Sequence, residues 1–288
     1  PVTLAFFTVG DFVTVGIPVT VRPRSVLLAA ATLLAAACSD SPTGSNARVP
    51  RGVVVLNGYG QQGVTLVADT GSATARIDFG AQFDGGSLAV EGDTAISTSS
   101  RGGGDQLYVA NLASGALLRV QLPRASNPAG AAFRGPGQFV VALRDSGAVA
   151  FVDTRGPSPL TATAYGAGRC PSDVAPRNAE LWVLDANQNC DQRAYVSQGE
   201  SRLIRFTGST AAGRLVNIAG DTLVLTGVRN ATAMTVVGST AYVTSGGVAD
   251  FSQFPVTVFS QPGSVTQVDL AARRVVRTVS LPSGTYGA

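Results

Sequence analysis

The sequence predicts an all-β fold in which one four-stranded unit is repeated along the chain. From Gly52 onward, short apolar segments alternate with clusters of Gly, Asn, Asp, Ser and Pro, and helical periodicity is weak. Segments rich in Val, Thr and Phe between such clusters are typical of strands. Similar segments recur about every 42 residues. A fixed period indicates a repeat architecture, because a β-sandwich has no reason to repeat.

The first recurring element is a four-residue apolar strand core, which reads VVVL, TAIS, FVVA, LWVL and AYVT along the chain. Its third residue falls at Val55, Ile96, Val141, Val183 and Val243, at intervals of 41, 45, 42 and 60 residues. The longest interval predicts an insertion between the last two copies.

Three further segments complete each unit. The strand after the apolar core ends at a turn residue, which is Asp69, Asn111, Asp153 or Asp269, with Thr207 in a divergent copy. Asp and Asn suit this position because they bond to their own backbone in tight turns. A fourth strand then returns, for example at Leu117–Leu122, Arg214–Ala219 and Arg274–Leu281. An inner strand of small residues precedes the core, at Ser87–Val90, Ala129–Phe133, Ser172–Ala175 and Thr232–Val236.

Four antiparallel strands in about 42 residues match the blade of a β-propeller, and another all-β fold is the alternative. The sequence gives five units, at about 52–80, 86–122, 128–165, 171–218 and 230–282, the first without an inner strand. Two alternatives stay open at the C-terminal end. Either residues 283–288 pair into the first blade and close a five-bladed ring, or the chain is truncated and the intact protein has six or seven blades.

Three segments resemble the YVTN/NHL-type propeller repeats of bacterial envelope proteins. They are CPSDVAPRNAELWVLDAN at Cys170–Asn187, AMTVVGSTAYVTS at Ala233–Ser245 and SVTQVDLAARRVVRTVSLP at Ser264–Pro282. The resemblance implies a propeller fold and a location in the cell envelope, and it implies no single activity.

The N-terminal part has the features of an export signal. Arg22 and Arg24 precede an uncharged apolar segment at Ser25–Ala37. This segment is too short for a comfortable membrane span, since a transmembrane helix needs roughly 20 apolar residues. Its end, Leu34–Cys38, reads LAAAC and resembles the lipobox of bacterial lipoproteins, although Leu lies four residues before the Cys rather than three. The resemblance implies that Cys38 receives a diacylglycerol and becomes the mature N-terminus.

These features divide the chain into an upstream extension at 1–20, a lipoprotein signal peptide at 21–37, a flexible tether at 38–51 and a propeller domain at 52–288. For residues 21–37 the alternatives are ordinary secretion with cleavage at the same bond, and an uncleaved anchor or core helix. For residues 1–20 the alternative is an apolar strand pair of the fold. A lipid anchor predicts a location in the bacterial cell envelope, facing the periplasm or the cell surface. Ser39 after the Cys favours the outer membrane.

The composition excludes many common enzyme mechanisms. The 288 residues contain no His, and all 21 basic side chains are Arg because Lys is absent as well. Imidazole catalysis, His-ligated metals, Schiff bases and a phosphate-loop lysine are therefore excluded. The net charge of +3 is small and the arginines are dispersed, so we expect no nucleic-acid partner.

The three cysteines predict one disulfide. If Cys38 carries a lipid, Cys170 and Cys190 remain as a pair in an oxidising compartment, where disulfides persist. Two unpaired structural thiols are the alternative. A redox-active pair is not expected because the sequence has no C-x-x-C spacing.

A weak calcium site is predicted between these cysteines. Asp185, Asn187, Asn189 and Asp191 place side-chain oxygens at every second position, and a hard cation prefers such ligands. The EF-hand pattern fails because its Gly and its Glu positions hold other residues. A polar surface loop is the alternative, and no other cofactor is predicted.

Two classes of function remain. The first is a membrane-tethered, non-catalytic binding or scaffold module that holds an unknown protein or small-molecule ligand on the loops of a rigid propeller. The second is a propeller enzyme of the lactonase or quinoprotein type, with carboxylates and a metal at the channel mouth. The acids available for it are Asp93, Asp145, Asp173, Glu180 and Asp185. We expect the binding module, because these acids form no convergent cluster in the sequence.

Overall fold

The computed structural model describes residues 52–57, 62–68, 73–81, 83–100, 105–192, 196–207, 217–250 and 258–282. The predictions for residues 1–51, which include the signal peptide, the tether and the lipidated Cys38, lie outside the described residues. In the described ranges, no helix is both long and apolar enough to cross a membrane.

Within these ranges the chain forms 21 β-strands and two single-turn 3-10 helices. The strands are β1 Gly52–Asn57, β2 Gly63–Ala68, β3 Ala73–Asp78, β4 Leu88–Glu91, β5 Thr94–Ser99, β6 Gln106–Asn111, β7 Leu117–Gln121, β8 Pro128–Gly135, β9 Gln138–Leu143, β10 Ala148–Asp153, β11 Leu160–Tyr165, β12 Pro171–Arg177, β13 Glu180–Asp185, β14 Arg202–Thr207, β15 Asn217–Val224, β16 Ala231–Val237, β17 Thr240–Ser245, β18 Val248–Asp250, β19 Val258–Gln261, β20 Ser264–Asp269 and β21 Arg274–Ser280. The 3-10 helices are Arg144–Ser146 and Cys190–Gln192.

The strands form five antiparallel blade sheets that follow one another along the chain. Blade 1 contains β1 to β3, blade 2 contains β4 to β7, blade 3 contains β8 to β11 and blade 4 contains β12 to β15. Blade 5 contains β16, β17, β20 and β21, with β18 and β19 as an inserted hairpin. The predicted all-β propeller of about five blades is confirmed. The first blade has three strands within the described residues.

The repeated sequence segments occupy equivalent positions in the blades. Ile96, Val141, Val183 and Val243 each lie in the middle of the second strand of a four-stranded blade. By the same spacing, Val55 makes β1 the equivalent of a second strand. Blade 1 therefore lacks an inner strand among the described residues, in agreement with the repeat analysis.

The apolar cores lie between the blades. One buried cluster joins blades 1 and 2, and further clusters join blades 2 and 3, 3 and 4, and 4 and 5. In β9, Phe139 and Val141 belong to the cluster shared with blade 2, whereas Val140 and Ala142 belong to the one shared with blade 4. A strand that is buried on both faces has a continuous apolar sequence. This double burial explains why the repeated cores do not alternate.

One strand differs from its predicted position. The fourth strand of blade 4 was expected at Arg214–Ala219, but β15 extends from Asn217 to Val224. The reason is packing, because Leu223 pairs with Leu203 in β14 and lies against the cluster between blades 4 and 5. The same cluster contains Trp182, which is fully buried.

Asp173 lies where the first strands of three blades meet. In β12, its Oδ2 accepts the backbone N–H of Met234 in β16 at 2.7 Å, and its Oδ1 accepts that of Val174 at 2.8 Å. On the other side it packs against Gly130 of β8, where an added Cβ would lie 2.6 Å from the Asp173 Cα. The innermost strand of a blade is a sheet edge, so its free N–H groups need other acceptors. Asp173 supplies one for blade 5.

A buried ion network links blades 4 and 5. Asp221 of β15 is 2% exposed and pairs with Arg205 and with Arg273, each with an N–O distance of 2.9 Å. Arg273 belongs to the β20–β21 turn of blade 5. Arg205 also contacts Glu180 at 3.0 Å, and Glu180 accepts the indole N–H of Trp182 at 3.2 Å. The hydrogen bond to Asp221 raises the pKa of Arg205 further above its ordinary value.

We expect Gly130→Ala to lower the free energy of unfolding by about 1–3 kcal/mol, because the added methyl group would overlap the backbone of Asp173 and force the blades apart. Urea denaturation measures the change. Gly156→Ala is the matched control, since an added Cβ at this exposed turn meets no atom within 4 Å. Equal stabilities of the two variants would contradict the close approach of β8 and β12.

Asp173 is also expected to make stability depend on pH. Burial raises the pKa of its carboxyl from 3.8 to about 7, against the opposing effect of the Met234 and Val174 N–H groups. Between these two values the folded chain binds a proton that the unfolded chain does not bind. The free energy of unfolding contributed by this group therefore falls as the pH rises from 4 to 7 and is constant above that range.

The measurement is urea denaturation of the parent chain and of Asp173→Asn at intervals between pH 4 and pH 8. The stability of the parent relative to the variant should decrease with pH up to about pH 7, the pKa of the folded state. A difference that stays constant over this range would show that the carboxyl has an ordinary pKa in the fold.

Candidate functional site

Each connection between strands lies at one of two opposite ends of the blades. The loop face is the end where the second strand of a blade is followed by its third, and where one blade is followed by the next. Its described connections include 79–87, 122–127, 144–147, 166–170, 186–192, 196–201, 225–230 and 246–247. The turn face is the opposite end, where first and second strands and third and fourth strands are joined, as at 92–93, 112–116, 136–137, 154–159, 178–179, 238–239 and 270–273.

The connections on the loop face differ in length from blade to blade. Blade 3 joins its second and third strands through Arg144–Gly147, whereas blade 4 uses residues 186–201 and blade 5 uses residues 246–263. The insertion predicted between the last two repeat copies lies largely in the blade 4 connection. Two neighbouring blades thus carry the long loops of this face. Long loops on a regular scaffold are where binding residues concentrate.

A disulfide holds the blade 4 loop. Cys170 and Cys190 are joined with their Cα atoms 5.4 Å apart, and both are fully buried beside Ala186. Cys170 immediately precedes β12, and Cys190 begins the second 3-10 helix. The bridge therefore ties the loop to the connection that enters its own blade.

Asp185 fixes the base of the same loop. Its fully buried carboxylate accepts the backbone N–H groups of Cys170 at 2.8 Å and Asn187 at 2.9 Å, and it pairs with Arg202 at 2.9 Å. Asn187 donates to the carbonyl of Glu200 and accepts from Arg202, both at 3.0 Å. These contacts join the first and last residues of the loop.

The four residues of the predicted calcium site do not form a donor cluster. The side-chain oxygens of Asp185 and Asn187 bind the partners described above, and Asn189 accepts the backbone N–H of Val196 at 2.7 Å. Asp191 lies on the surface. In the part of the chain that the structure describes, no three candidate side chains are grouped to hold a metal ion. The described geometry thus lends calcium binding no support, and calcium binding stays an untested prediction.

Polar contacts continue from blade 4 to blade 5. The Gln188 side chain donates to Asn230 Oδ1 at 2.9 Å, and the Ser201 hydroxyl accepts the N–H of Ala231 at 3.0 Å. Glu200 accepts the N–H of Gly227 at 2.7 Å. Gln261, from the inserted hairpin, donates to the Gly227 carbonyl.

These loops form one connected surface, which we call the blade 4–5 platform. It comprises the described residues of 186–201, 225–230 and 258–263. Its exposed side chains are mostly uncharged, with one acid and one arginine among them: Asp191, Val196, Gln198, Thr226, Arg229 and Ser260.

The acids that the sequence offered for an enzyme are spread over the molecule. Asp93 lies in the exposed β4–β5 turn, Glu180 begins β13 on the turn face, and Asp173 lies between the inner strands. Asp145 and Asp185 lie on the loop face, where Asp145 accepts the Asn127 amide at 3.2 Å. Within the described ranges, the structure brings no three of these carboxylates together.

The sequence did not point to several residues that build the platform. Gln188, Ser201, Arg202 and Asn230 act through contacts between segments far apart in the chain. One local signal exists for Asn230, which has a left-handed backbone with φ of 55°, a conformation that Asn adopts more readily than most residues.

Comparison with known proteins supports the fold. No protein-family model matches the chain, and neither does any curated protein sequence. Among solved structures, a streptogramin B lyase matches 77% of this chain with a TM-score of 0.53 and 10% identity. A functionally unknown protein from Desulfotomaculum acetoxidans DSM 771 matches 79% with a TM-score of 0.52 and 12% identity. Dihydro-heme d1 dehydrogenase NirN matches 81% with a TM-score of 0.47 and 14% identity.

This chain spans less than two thirds of each of these structures, namely 63% of the lyase, 66% of the Desulfotomaculum protein and 46% of NirN. The streptogramin B lyase is a β-propeller-like protein. At identities this low, the similarity shows the fold alone: the chain is similar to β-propeller proteins.

Proposed function

We propose that this chain is a membrane-tethered, non-catalytic binding module of the bacterial cell envelope, and that the blade 4–5 platform is its partner-binding surface. The observation that carries the proposal is the platform itself. The long loops of two neighbouring blades lie on one face. A disulfide fixes the blade 4 loop to its own blade, and side-chain hydrogen bonds connect both long loops to the segment 225–230 between the blades.

The hydrogen bonds at the base of the blade 4 loop suit it for binding. A loop that is already held in one conformation loses less entropy when a partner docks, so more of the contact energy appears as affinity. Asp185, Asn187 and Glu200 hold the two ends of the blade 4 loop together. The exposed Val196 and Gln198 are carried on this fixed base.

The chemistry of the chain supports binding over catalysis. Without His or Lys in the sequence, imidazole and amine chemistry cannot occur on this chain. Two carboxylates at the base of the platform are occupied: Asp185 by backbone N–H groups and Arg202, and Glu200 by the N–H of Gly227. The buried disulfide agrees with an exported protein, since such bridges persist in oxidising compartments.

The proposed anchor predicts that the purified protein carries a lipid at Cys38. In a bacterial host with the lipoprotein pathway, the parent chain should incorporate radiolabelled palmitate and have an intact mass that starts at a diacylated Cys38. Cys38→Ser should incorporate no label and leave the membrane fraction. An unmodified Cys38 in the parent, with the upstream residues retained, would overturn the tether.

The binding surface is tested by site-specific photo-crosslinking in envelope-competent cells. A photo-reactive residue in place of Val196, which is 57% exposed on the platform, should give an adduct of discrete mass. The same residue in place of Tyr165, which is 59% exposed where blade 3 ends on the same face, is the matched control. Adducts at both positions, or at neither, would contradict binding at the platform.

The disulfide is expected to stabilise the propeller. In the chain-entropy model, closing the loop between Cys170 and Cys190, which are 20 residues apart, contributes about 3 kcal/mol. The double variant Cys170→Ser, Cys190→Ser should therefore lose about this much in urea denaturation. Adding a reductant during unfolding should lower the parent to the same value and leave the variant unchanged. A parent that is insensitive to reductant would show that the cysteines are not bridged.

A further inference from the structure

The path of the chain into blade 1 defines which face of the propeller is next to the tether. Gly52, the first described residue, pairs with Ala68, and Asn57 at the other end of β1 pairs with Gly63. The connection from β1 to β2 lies on the loop face, because it joins a second strand to a third. Gly52 therefore enters β1 at the turn face.

The platform lies at the opposite end of the blades. β1 has 6 residues and the strands of the other blades are of similar length. At a rise of about 3.3 Å per residue, the two faces are roughly 20 Å apart.

The segment between Cys38 and Gly52 is short on this scale. Ser39–Arg51 is small, polar and rich in turn residues. A random-coil chain of this length has a mean end-to-end distance of about 20 Å, which is enough to reach from the turn face to an anchor beside it. Reaching past the loop face would require this whole mean distance to be spent along the height of blade 1 before any of the chain extends beyond that face, which costs conformational entropy.

We propose that the turn face lies against the lipid bilayer and that the blade 4–5 platform points away from it. This orientation rests on the proposed lipidation of Cys38, and it leaves the platform accessible to a partner in the aqueous compartment.

Three arginines of the turn face form contacts within the protein, which reduces their attraction to anionic lipids. Arg155 pairs with Asp153 through its Nε at 2.8 Å, and this hydrogen bond lowers the pKa of Asp153 below its usual range. Arg177 donates to the Gly238 carbonyl at 3.0 Å, and Arg273 pairs with Asp221. Because these three arginines already bind partners within the fold, we expect the turn face to be oriented similarly on neutral and on anionic membranes.

The test uses the lipidated protein in phosphatidylcholine vesicles that contain a lipid with a spin label on its headgroup. Single cysteines labelled with a fluorophore report the distance to the membrane surface through quenching. Ala113→Cys and Ala271→Cys lie in exposed turns of the turn face, and Val196→Cys and Tyr165→Cys lie on the loop face. The native Cys170 and Cys190 do not react because they are bridged and buried.

Quenching should be strong at residues 113 and 271 and weak at 196 and 165, and replacing a third of the lipid with phosphatidylglycerol should leave this pattern unchanged. Stronger quenching at 196 and 165 would show that the tether leaves from the loop face. Equal quenching at all four positions would show that the anchor imposes no orientation. Either result would overturn the proposal.

A second arrangement separates this proposal from the lipidation on which it rests. The mature chain beginning at Cys38 can be coupled through that thiol to a maleimide-headgroup lipid, which supplies an anchor whether or not cells attach one. The same quenching pattern in these vesicles supports the geometry even if palmitate labelling of the cellular protein fails. Loss of the pattern here, with normal labelling in cells, would overturn the orientation alone.

Discussion

The structure depends on one constraint, which is that each blade shares its core with its neighbours. The second and third strands of the inner blades are apolar on both faces, so an isolated blade would expose these side chains on both sides. Val140 and Val141 illustrate this, because they are adjacent in one strand and both fully buried, yet they belong to the cores on opposite sides of blade 3. Burial of apolar surface is the main force in folding, and here it acts only between sheets.

Because cores form only between neighbouring blades, equivalent residues of blades 4 and 5 differ in burial. Trp182 and Tyr242 occupy the same place in the repeat, one residue before Val183 and Val243. Trp182 faces blade 5 and is fully buried, whereas Tyr242 is on the far face of blade 5 and is 42% exposed. Among the described residues, no core cluster joins blade 5 to blade 1. Residues 283–288, which pair into the first blade in one of the two predicted alternatives, lie outside the described residues.

The fold could be predicted from the sequence because the repeated apolar cores keep their spacing through five blades. The cores centred on Ile96, Val141, Val183 and Val243 all became second strands, since a local pattern of double burial specifies them. The end of β15 at Val224 could not be predicted, because it depends on the pairing of Leu223 with Leu203 rather than on local sequence.

The site was harder to predict than the fold. The disulfide could be predicted because two cysteines, Cys170 and Cys190, remain when Cys38 is assigned to the lipid. The calcium prediction depends on side-chain oxygens at every second position, at Asp185, Asn187 and Asn189. In the structure those atoms bind N–H groups and Arg202. Whether a carboxylate binds an ion or the backbone depends on three-dimensional neighbours, which spacing along the chain does not reveal.

If the chain is exported as proposed, the position of the disulfide also bears on how the protein matures. Both cysteines belong to blade 4 and its entry, at a sequence separation of only 20 residues. An oxidant can act on them as soon as this short segment has crossed the membrane. If Cys38 is acylated, two thiols remain and they allow a single pairing, so no wrong bridge can form. Such a chain needs an oxidant in the envelope but no isomerase.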